Sequence, residues 1–520
     1  LAILNLLGVQ SGVIALTKAD LVDDEWLDLV REDVRVATRG TPLATAEVIA
    51  TSILAVDGLN ALRHAIGRAA RALPERAPRD LFRLPVDRAF TVRGTGTVVT
   101  GTVWSGTLER EAGVRLFPGG LVARVRGIES HGRAVTSARP GTRAAIALAN
   151  VEVSGVRRGT VLVDGDGWEE TEALLAEVVL LEGAGQQLGP RTRVRFHLGT
   201  SDVGARIVCA GGSLQPGERR EARLVLDEPL VARAGDRFVI RSASPILTIG
   251  GGIVGDPAPA RRRARPRTAS PQTPADRLRA MLAADGIRGV TLAALPVRTG
   301  VRPDELAALL AAVASEVVRV GERLYAGSAF AEVERQVEEL VAAYHERNPL
   351  ELGVSLQSVR ARIGAGGAVA DRVLHRLAEA GYLEIDGSLV RRRGWVPALT
   401  PAQERHRTEL IDALERAARE PPSVGELEVT HGPQTSALLR LLERAELIVQ
   451  VEPDRYYLRR VVEALVGVLR TGMVPGREYT PPELRELLGF SRKYLIPFLE
   501  FCDRLGVTER RAGGRVIRMA

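Results

Sequence analysis

Of 71 basic side chains in this 520-residue chain only two are lysine, Lys18 and Lys493, and each falls inside a short polar motif. A slim ammonium on an aliphatic stem suits places where a planar guanidinium does not fit, although codon bias alone also yields an arginine-rich chain. The first motif, Thr17-Lys18-Ala19-Asp20, follows the apolar run Gly12–Leu16. Open α/β folds bind ligands in the loops at strand C-termini. A carboxylate there, Asp20, suits the N1–H and exocyclic amine of guanine, with the Lys18 stem along the base plane. A second strand, Glu47–Ser52, would bring backbone N–H groups to the guanine carbonyl. Alone, Lys-x-Asp is commonly a surface pair; its place after a buried strand makes it a candidate.

The other lysine sits in Phe490-Ser491-Arg492-Lys493-Tyr494. Ser491 suits an N-cap, which puts Arg492, Lys493 and Tyr494 in a first helical turn whose free N–H groups and dipole favour phosphate. Arg510, Arg511 and Arg515 lie on the adjoining wing and extend that surface. Pro497 is expected to kink or shorten the helix. A third motif, Asp87-Arg88-Ala89-Phe90, heads a strand. On its residues alone it is a local surface pair of little energetic weight.

Other chemistries lack their residues. Neither lysine completes the glycine-rich pattern of a P-loop, and no Gly-x-Ser-x-Gly is present. The seven histidines show no metal-ligand spacing. Cys209 and Cys502 cannot form a disulfide framework or a cysteine zinc site, which suits a reduced, cytoplasmic setting. No apolar run approaches the ~18 residues that mark a membrane span. Leu1–Val9 lacks the basic leader and cleavage site of a signal peptide. The chain begins with Leu1 and its first methionine is Met281, so a preceding segment is expected.

The elements that must hold these motifs follow from periodicity. Residues 1–78 alternate strand and helix signals, half of a doubly wound α/β domain. Residues 79–170 and 171–258 carry short β-branched runs punctuated by glycine, as in two β-barrels. With aromatics at 4%, their cores must be aliphatic. Residues 259–275, rich in arginine and proline, read as a linker. Beyond it, helix-rich stretches each end in a short ribbon at Arg323–Tyr325, Ser388–Val390, Tyr456–Leu458 and Arg515–Ile517. That repeat suggests four winged-helix modules, 276–333, 334–398, 399–458 and 459–520. The net charge is +7, and residues 459–520 alone hold twelve basic against seven acidic groups. A basic module on a mildly acidic body is the footprint of a nucleic-acid partner, or an ordinary scatter of surface charge.

The order of parts resembles the bacterial selenocysteine-specific elongation factors, SelB, translational GTPases related to elongation factor Tu. The resembling stretches are Leu1–Gly8, Ala15–Asp20, Arg83–Phe90, Gly96–Thr102, and Ser491–Tyr494 through Asp503–Thr508. The resemblance implies a multidomain chain: part of a P-loop-type GTPase domain, two translation-factor β-barrels and an array of winged helices. It implies delivery of selenocysteinyl-tRNA to the ribosome at a UGA codon marked by an mRNA hairpin. By position, Thr17, Lys18, Asp20, Ser52 and Ile53 would bind the guanine of GTP. Asp87, Arg88 and Arg143 would recognise the selenocysteinyl group, whose selenol is ionised near neutral pH and favoured by arginine. Ser491, Arg492, Lys493, Tyr494, Arg510, Arg511 and Arg515 would bind RNA. The family's P-loop, switch regions and Mg²⁺ ligands would lie before Leu1, so no GTP hydrolysis is expected of this chain. Ser52-Ile53 stands where the family has Ser-Ala, and Val56 where glycine is common. The implied protein is cytoplasmic, monomeric and free of membranes.

Two other readings compete. A DNA-binding regulator with serial winged helices and a barrel sensor would prefer duplex DNA, but has no use for the Asp87–Phe90 barrel motif. A general aminoacyl-tRNA carrier would lack the winged-helix tail.

Overall fold

The computed structural model describes residues 1–55, 57–74, 78–190, 192–259, 273–364 and 366–518. They form two compact units, Leu1–Ala331 and Glu332–Ala520. Val56 and most of the expected linker, residues 260–272, lie outside the described residues. Among the described residues no helix is long and apolar enough to cross a membrane.

The first unit opens with a βαβα segment. Strands Val13–Thr17 and Glu47–Thr51 pair in parallel, with Val13 opposite Glu47 and Thr17 opposite Thr51. A parallel pair needs a crossover, and the helix Asp24–Thr38 supplies it. Asp23 caps that helix by accepting the Trp26 N–H at 2.9 Å. The helix Leu59–Arg71 follows the second strand.

Two closed barrels come next. In the first, strands run in the order Arg143–Ala149, Gly96–Thr102, Arg83–Val92, Val161–Val163, Gly113–Phe117 and Leu121–Ser130, and the last pairs back to the first. Alternation along these strands buries Phe82, Leu84, Val86, Val99, Leu116, Ile146 and Leu162. Two of the strands, Gly113–Phe117 and Val161–Val163, are too short to stand out by alternation; their neighbours in the ring define them. The second barrel closes Thr171–Leu180, Arg219–Leu230, Ser201–Cys209, Arg193–Leu198, Arg237–Ser242 and Thr248–Asp256 around Phe196 and Phe238, whose ring centres lie 4.8 Å apart. Gly252 is required there, because a methyl group on it would sit 1.9 Å from the Glu177 carbonyl oxygen of the paired strand.

Buried arginines tie these parts together. Arg83 forks onto Asp236 with two bonds of 2.6 Å, under the rings of Trp104 and Trp168. Arg233 bonds Asp80 at 2.7 Å and the carbonyls of Pro296 and Val301 at 3.1 and 2.8 Å. Arg298 joins Asp256 at 2.8 Å to Asp285 at 2.7 Å. The second barrel is thereby fastened to the helix Leu295–Thr299 of the first helix-and-ribbon module, whose ribbon is Val317–Val320 with Arg323–Ala326.

The second unit repeats one plan. Helices Leu356–Ile363 and Gly367–Glu379 precede the ribbon Leu383–Asp386 with Leu389–Arg392. Helices Pro401–Ala417, Val424–His431 and Thr435–Arg444 precede Ile448–Glu452 with Arg455–Leu458. Helices Arg459–Gly472, Pro481–Leu488 and Arg492–Arg504 precede Thr508–Arg510 with Arg515–Ile517. The last core, around Tyr457, Leu469, Phe490 and Phe498, draws Val451 and Tyr457 from the preceding module. The helix Arg492–Arg504 runs on through Pro497, so the proline does not shorten it. At its sixth position the ring removes one ladder bond, and Phe498, Leu499, Phe501 and Cys502 beyond it are buried and hold the helix.

Candidate functional site

Parallel pairing brings the first motif together. The register that sets Thr17 against Thr51 places the two following loops side by side. Lys18 takes a left-handed conformation, φ 62°, and turns the chain into the short 3-10 helix Ala19–Leu21. Such a backbone costs a non-glycine residue about 1–2 kcal/mol. Asp20 is held by the buried Ser52, whose hydroxyl donates to its Oδ1 at 2.5 Å. The Ser52 oxygen in turn accepts the Ala55 N–H at 3.1 Å. The second Asp20 oxygen has no partner among the described residues and can take a ligand N–H. Thr17, Lys18 and Ile53 are exposed around it, Ile53 at 84%. The second-loop hydroxyl thus orients the carboxylate.

The second motif is a charge cluster across three strands of the first barrel. The register of Arg83–Val92 shifts between Val86 and Arg88, making Asp87 the extra residue of a β-bulge. Arg143, two strands away, forks back onto it: one terminal nitrogen bonds Oδ2 and the other reaches Oδ1 at 3.0 Å. Thr100 on the strand between donates to Oδ1 at 2.6 Å. Burial pushes the Asp87 carboxyl up. Bonds from Arg143 and Thr100, with the charges of Arg143 and Arg88, outweigh that and hold it below its ordinary range. Arg88 is exposed and bears no ion pair among the described residues. Nothing local in the sequence marks Thr100, although it lies in the resembling stretch Gly96–Thr102. Along the same strand Phe90 and Val92 line a cleft of about 380 Å³ with Val98, Ala147, Arg126 and Glu129.

The third motif divides. Ser491 stands at the N-cap, yet its side chain makes no capping bond; its N–H donates to Glu420 at 2.8 Å. The Ser491 hydroxyl and N–H, together with the Lys493 charge, hold the Glu420 carboxyl below its ordinary range. Arg492 and Lys493 are exposed at the start of the helix, and the Lys493 ammonium lies 5.4 Å from the centre of the Tyr494 ring. Arg455 from the preceding module stacks on the same ring at 5.0 Å. Arg510 and Arg511 are exposed on the ribbon. Arg515 lies apart: it is buried, bonded to Asp503 at 2.9 Å, and Asp503 also accepts from Thr508 at 2.6 Å. Sequence could not separate Arg515 from Arg510, since both belong to one arginine-rich ribbon. No local signal marks Glu420 or Arg455, which are distant in sequence. Among the described residues no group of His, Cys, Asp or Glu is placed to hold a metal ion.

An α/β segment with two closed barrels in series and an array of winged helices defines a translation elongation factor. Residues 96–163 match elongation factor Tu domain 2, and 175–261 the β-barrel domain of selenocysteine-specific elongation factors. Residues 339–391 and 476–517 match SelB winged helices. A selenocysteine-specific elongation factor of Desulfomicrobium baculatum is 30% identical over 537 residues, covering 100% of this chain and 84% of that protein. That of Escherichia coli (strain K12) is 28% identical with the same coverage. The crystal structure of a bacterial selenocysteine-specific elongation factor EF-Sec aligns with 100% of this chain and 83% of its own, at a TM-score of 0.63 and 20% identity, a likeness of fold. The chain belongs to the family of selenocysteine-specific elongation factors.

Proposed function

We propose that this chain carries selenocysteinyl-tRNA to the ribosome at UGA codons marked by an mRNA hairpin. The observation that supports this best is the fork of Arg143 on Asp87 beside an unpaired Arg88. Two guanidiniums and one carboxylate leave one net positive charge, on a surface that favours a selenolate over a neutral serine hydroxyl. The terminal nucleoside is covalently joined to the aminoacyl group, so it must rest close by. The cleft at Phe90 and Val92 offers an apolar bed for its base. The message hairpin would meet Arg492, Lys493, Tyr494, Arg510 and Arg511 through phosphates and splayed bases. Ser491 and Arg515 would act there as supports, through Glu420 and Asp503.

The residues at Thr17, Lys18, Asp20, Ser52 and Ile53 fit the base of GTP, since Asp20 keeps one oxygen free for a donor. Among the described residues no cluster of His, Cys, Asp or Glu could hold Mg²⁺ beside the phosphates of GTP. The chain would act as a cytoplasmic monomer, with domain limits 1–78, 79–170, 171–258, 276–333, 334–398, 399–458 and 459–520.

The test is binding of one transfer RNA charged in turn with selenocysteine and with serine. Affinity for the selenocysteinyl form is expected to be at least about tenfold higher, the scale of one charge-assisted hydrogen bond. Equal affinities would refute the proposal. Preference for duplex DNA over an RNA hairpin would favour a regulator instead.

A further inference from the structure

The three modules of the second unit share one backbone feature. The residue that follows each ribbon is an arginine whose N–H donates to the carbonyl of the residue entering it: Arg393 to Tyr382, Arg459 to Leu447 and Arg518 to Val507, at 3.0, 2.9 and 2.9 Å. The entering residue is aliphatic in two modules and aromatic in one. Val507 is buried, Leu447 is half open, and Tyr382 is 58% exposed. A tyrosine ring held out to solvent at a position the fold fills elsewhere with an aliphatic group has no packing role that explains it.

Its surroundings form a cleft of about 530 Å³ lined by Tyr382, Arg392, Arg393, Glu338, Glu339 and Ala342. The Arg393 guanidinium lies over Gly381, where an added methyl group would stand 2.6 Å from its nitrogen. Neither Arg392 nor Arg393 is ion-paired among the described residues, and Glu384, which feels the Arg393 charge, accepts its hydrogen bonds from Arg391 and the Gly394 N–H. Of the two carboxylates that line the cleft, Glu339 is taken up by Arg335, while Glu338, half-buried, has no partner among the described residues. An open aromatic face, two free guanidiniums and one free carboxylate are the groups that receive an unpaired nucleotide. The ring stacks a base, the arginines take the flanking phosphates, and the carboxylate accepts an exocyclic amine.

We propose that this cleft of the second winged-helix module binds one unpaired nucleotide of a single-stranded RNA segment. The site is separate from Lys493 and rests on the reading of the chain as an RNA-binding factor only for the class of its partner. A base bearing an exocyclic amine is preferred over uracil, because only the former gives Glu338 a donor.

The full chain is tested with three probes: a single-stranded decanucleotide, a blunt hairpin, and isolated small ribosomal subunits. Tyr382→Ala and Arg393→Ala are expected to weaken decanucleotide binding about tenfold, the scale of one stacked base, and to leave the blunt hairpin unaffected. Tyr382→Phe keeps the ring and is expected to restore binding. With RNA carrying 6-thioguanosine, which keeps an exocyclic amine, a photo-crosslink to the peptide containing Tyr382 is expected. If the ribosomal subunit also loses affinity in Tyr382→Ala, the segment is ribosomal; if only free RNA does, it belongs to the message or transfer RNA. Unchanged affinity for every probe in Tyr382→Ala, with Lys493→Ala still weakening the hairpin, overturns this site and leaves the proposed function standing. Failure of the unaltered chain to bind any RNA overturns both, and preferential binding of a hexaglutamate peptide at Tyr382 overturns the nucleotide reading.

Discussion

Arg143 crosses the strand Gly96–Thr102 to hold both oxygens of Asp87, with Thr100 bonding one of them from that strand. The pair neutralises itself, so Arg88 carries the surplus positive charge of the cluster. Arg88→Ala is therefore expected to lower affinity for selenocysteinyl-tRNA by about ten- to a hundredfold, the range of a charge-assisted bond, and to leave seryl-tRNA unchanged. Competition binding with the two charged forms reads this out.

The same cluster sets a pH dependence. The Asp87 carboxyl is held below 3.8, so its pair with Arg143 is present above that value and lost only as pH falls through the lower folded value. A selenol protonates at a less acidic pH. Preference for selenocysteine over serine should then disappear on mild acidification while the barrel stays folded. Affinity ratios measured across pH 7 to 4 check it, and near-ultraviolet circular dichroism follows the fold.

Breaking the fork of Arg83 on Asp236 should be costly, because Arg83→Met leaves a buried carboxylate with its strongest partner gone. About 3–5 kcal/mol is expected for one partner, and most of it should return in the double variant Arg83→Met with Asp236→Leu. Urea unfolding followed by tryptophan fluorescence suits this pair, since Trp104 and Trp168 both lie against Arg83.

Lys493 and Arg515 should part company. Lys493→Ala is expected to weaken hairpin binding and reduce the salt slope by roughly 0.7–0.9, one phosphate contact. Arg515→Ala should instead destabilise the last module by about 1–3 kcal/mol, since it leaves the half-buried Asp503 with Thr508 in place of its arginine. Titrations at several salt concentrations, alongside thermal melts, separate the two effects.

His345 is 1% exposed and stacked on Trp395, with ring centres 4.0 Å apart. Burial, and then the charge of Arg392, push its pKa below 6.5. The unfolded chain therefore takes up this proton more readily, and stability should fall as pH drops through about 6.5, at no more than about 1.4 kcal/mol per pH unit. His345→Phe keeps the stack and should flatten the slope. His406, also held low by burial, retains a share of it. Melting of the second unit between pH 8 and 5 measures the difference.

Short-range pattern alone carried much of this protein. The apolar run before Thr17, the alternation of the barrel strands and the serial helices with ribbons follow from side-chain period, and period is local. So is the place of Arg492, Lys493 and Tyr494 in a first helical turn. The three-residue strand Val161–Val163 has no period of its own, and only its neighbours in the ring define it.

Tertiary structure decided which charges are free. Arg515 and Arg510 look alike in the chain, yet one is buried against Asp503 and the other faces solvent. Ser491 suits a cap, yet it turns to Glu420, brought in by a neighbouring module. Arg143 and Arg88 read as two equivalent cations until the bulge at Asp87 gives one of them a partner. An ion pair depends on where two distant backbones come to rest. Hydrophobic burial, which is not directional, fixes that for the whole fold at once.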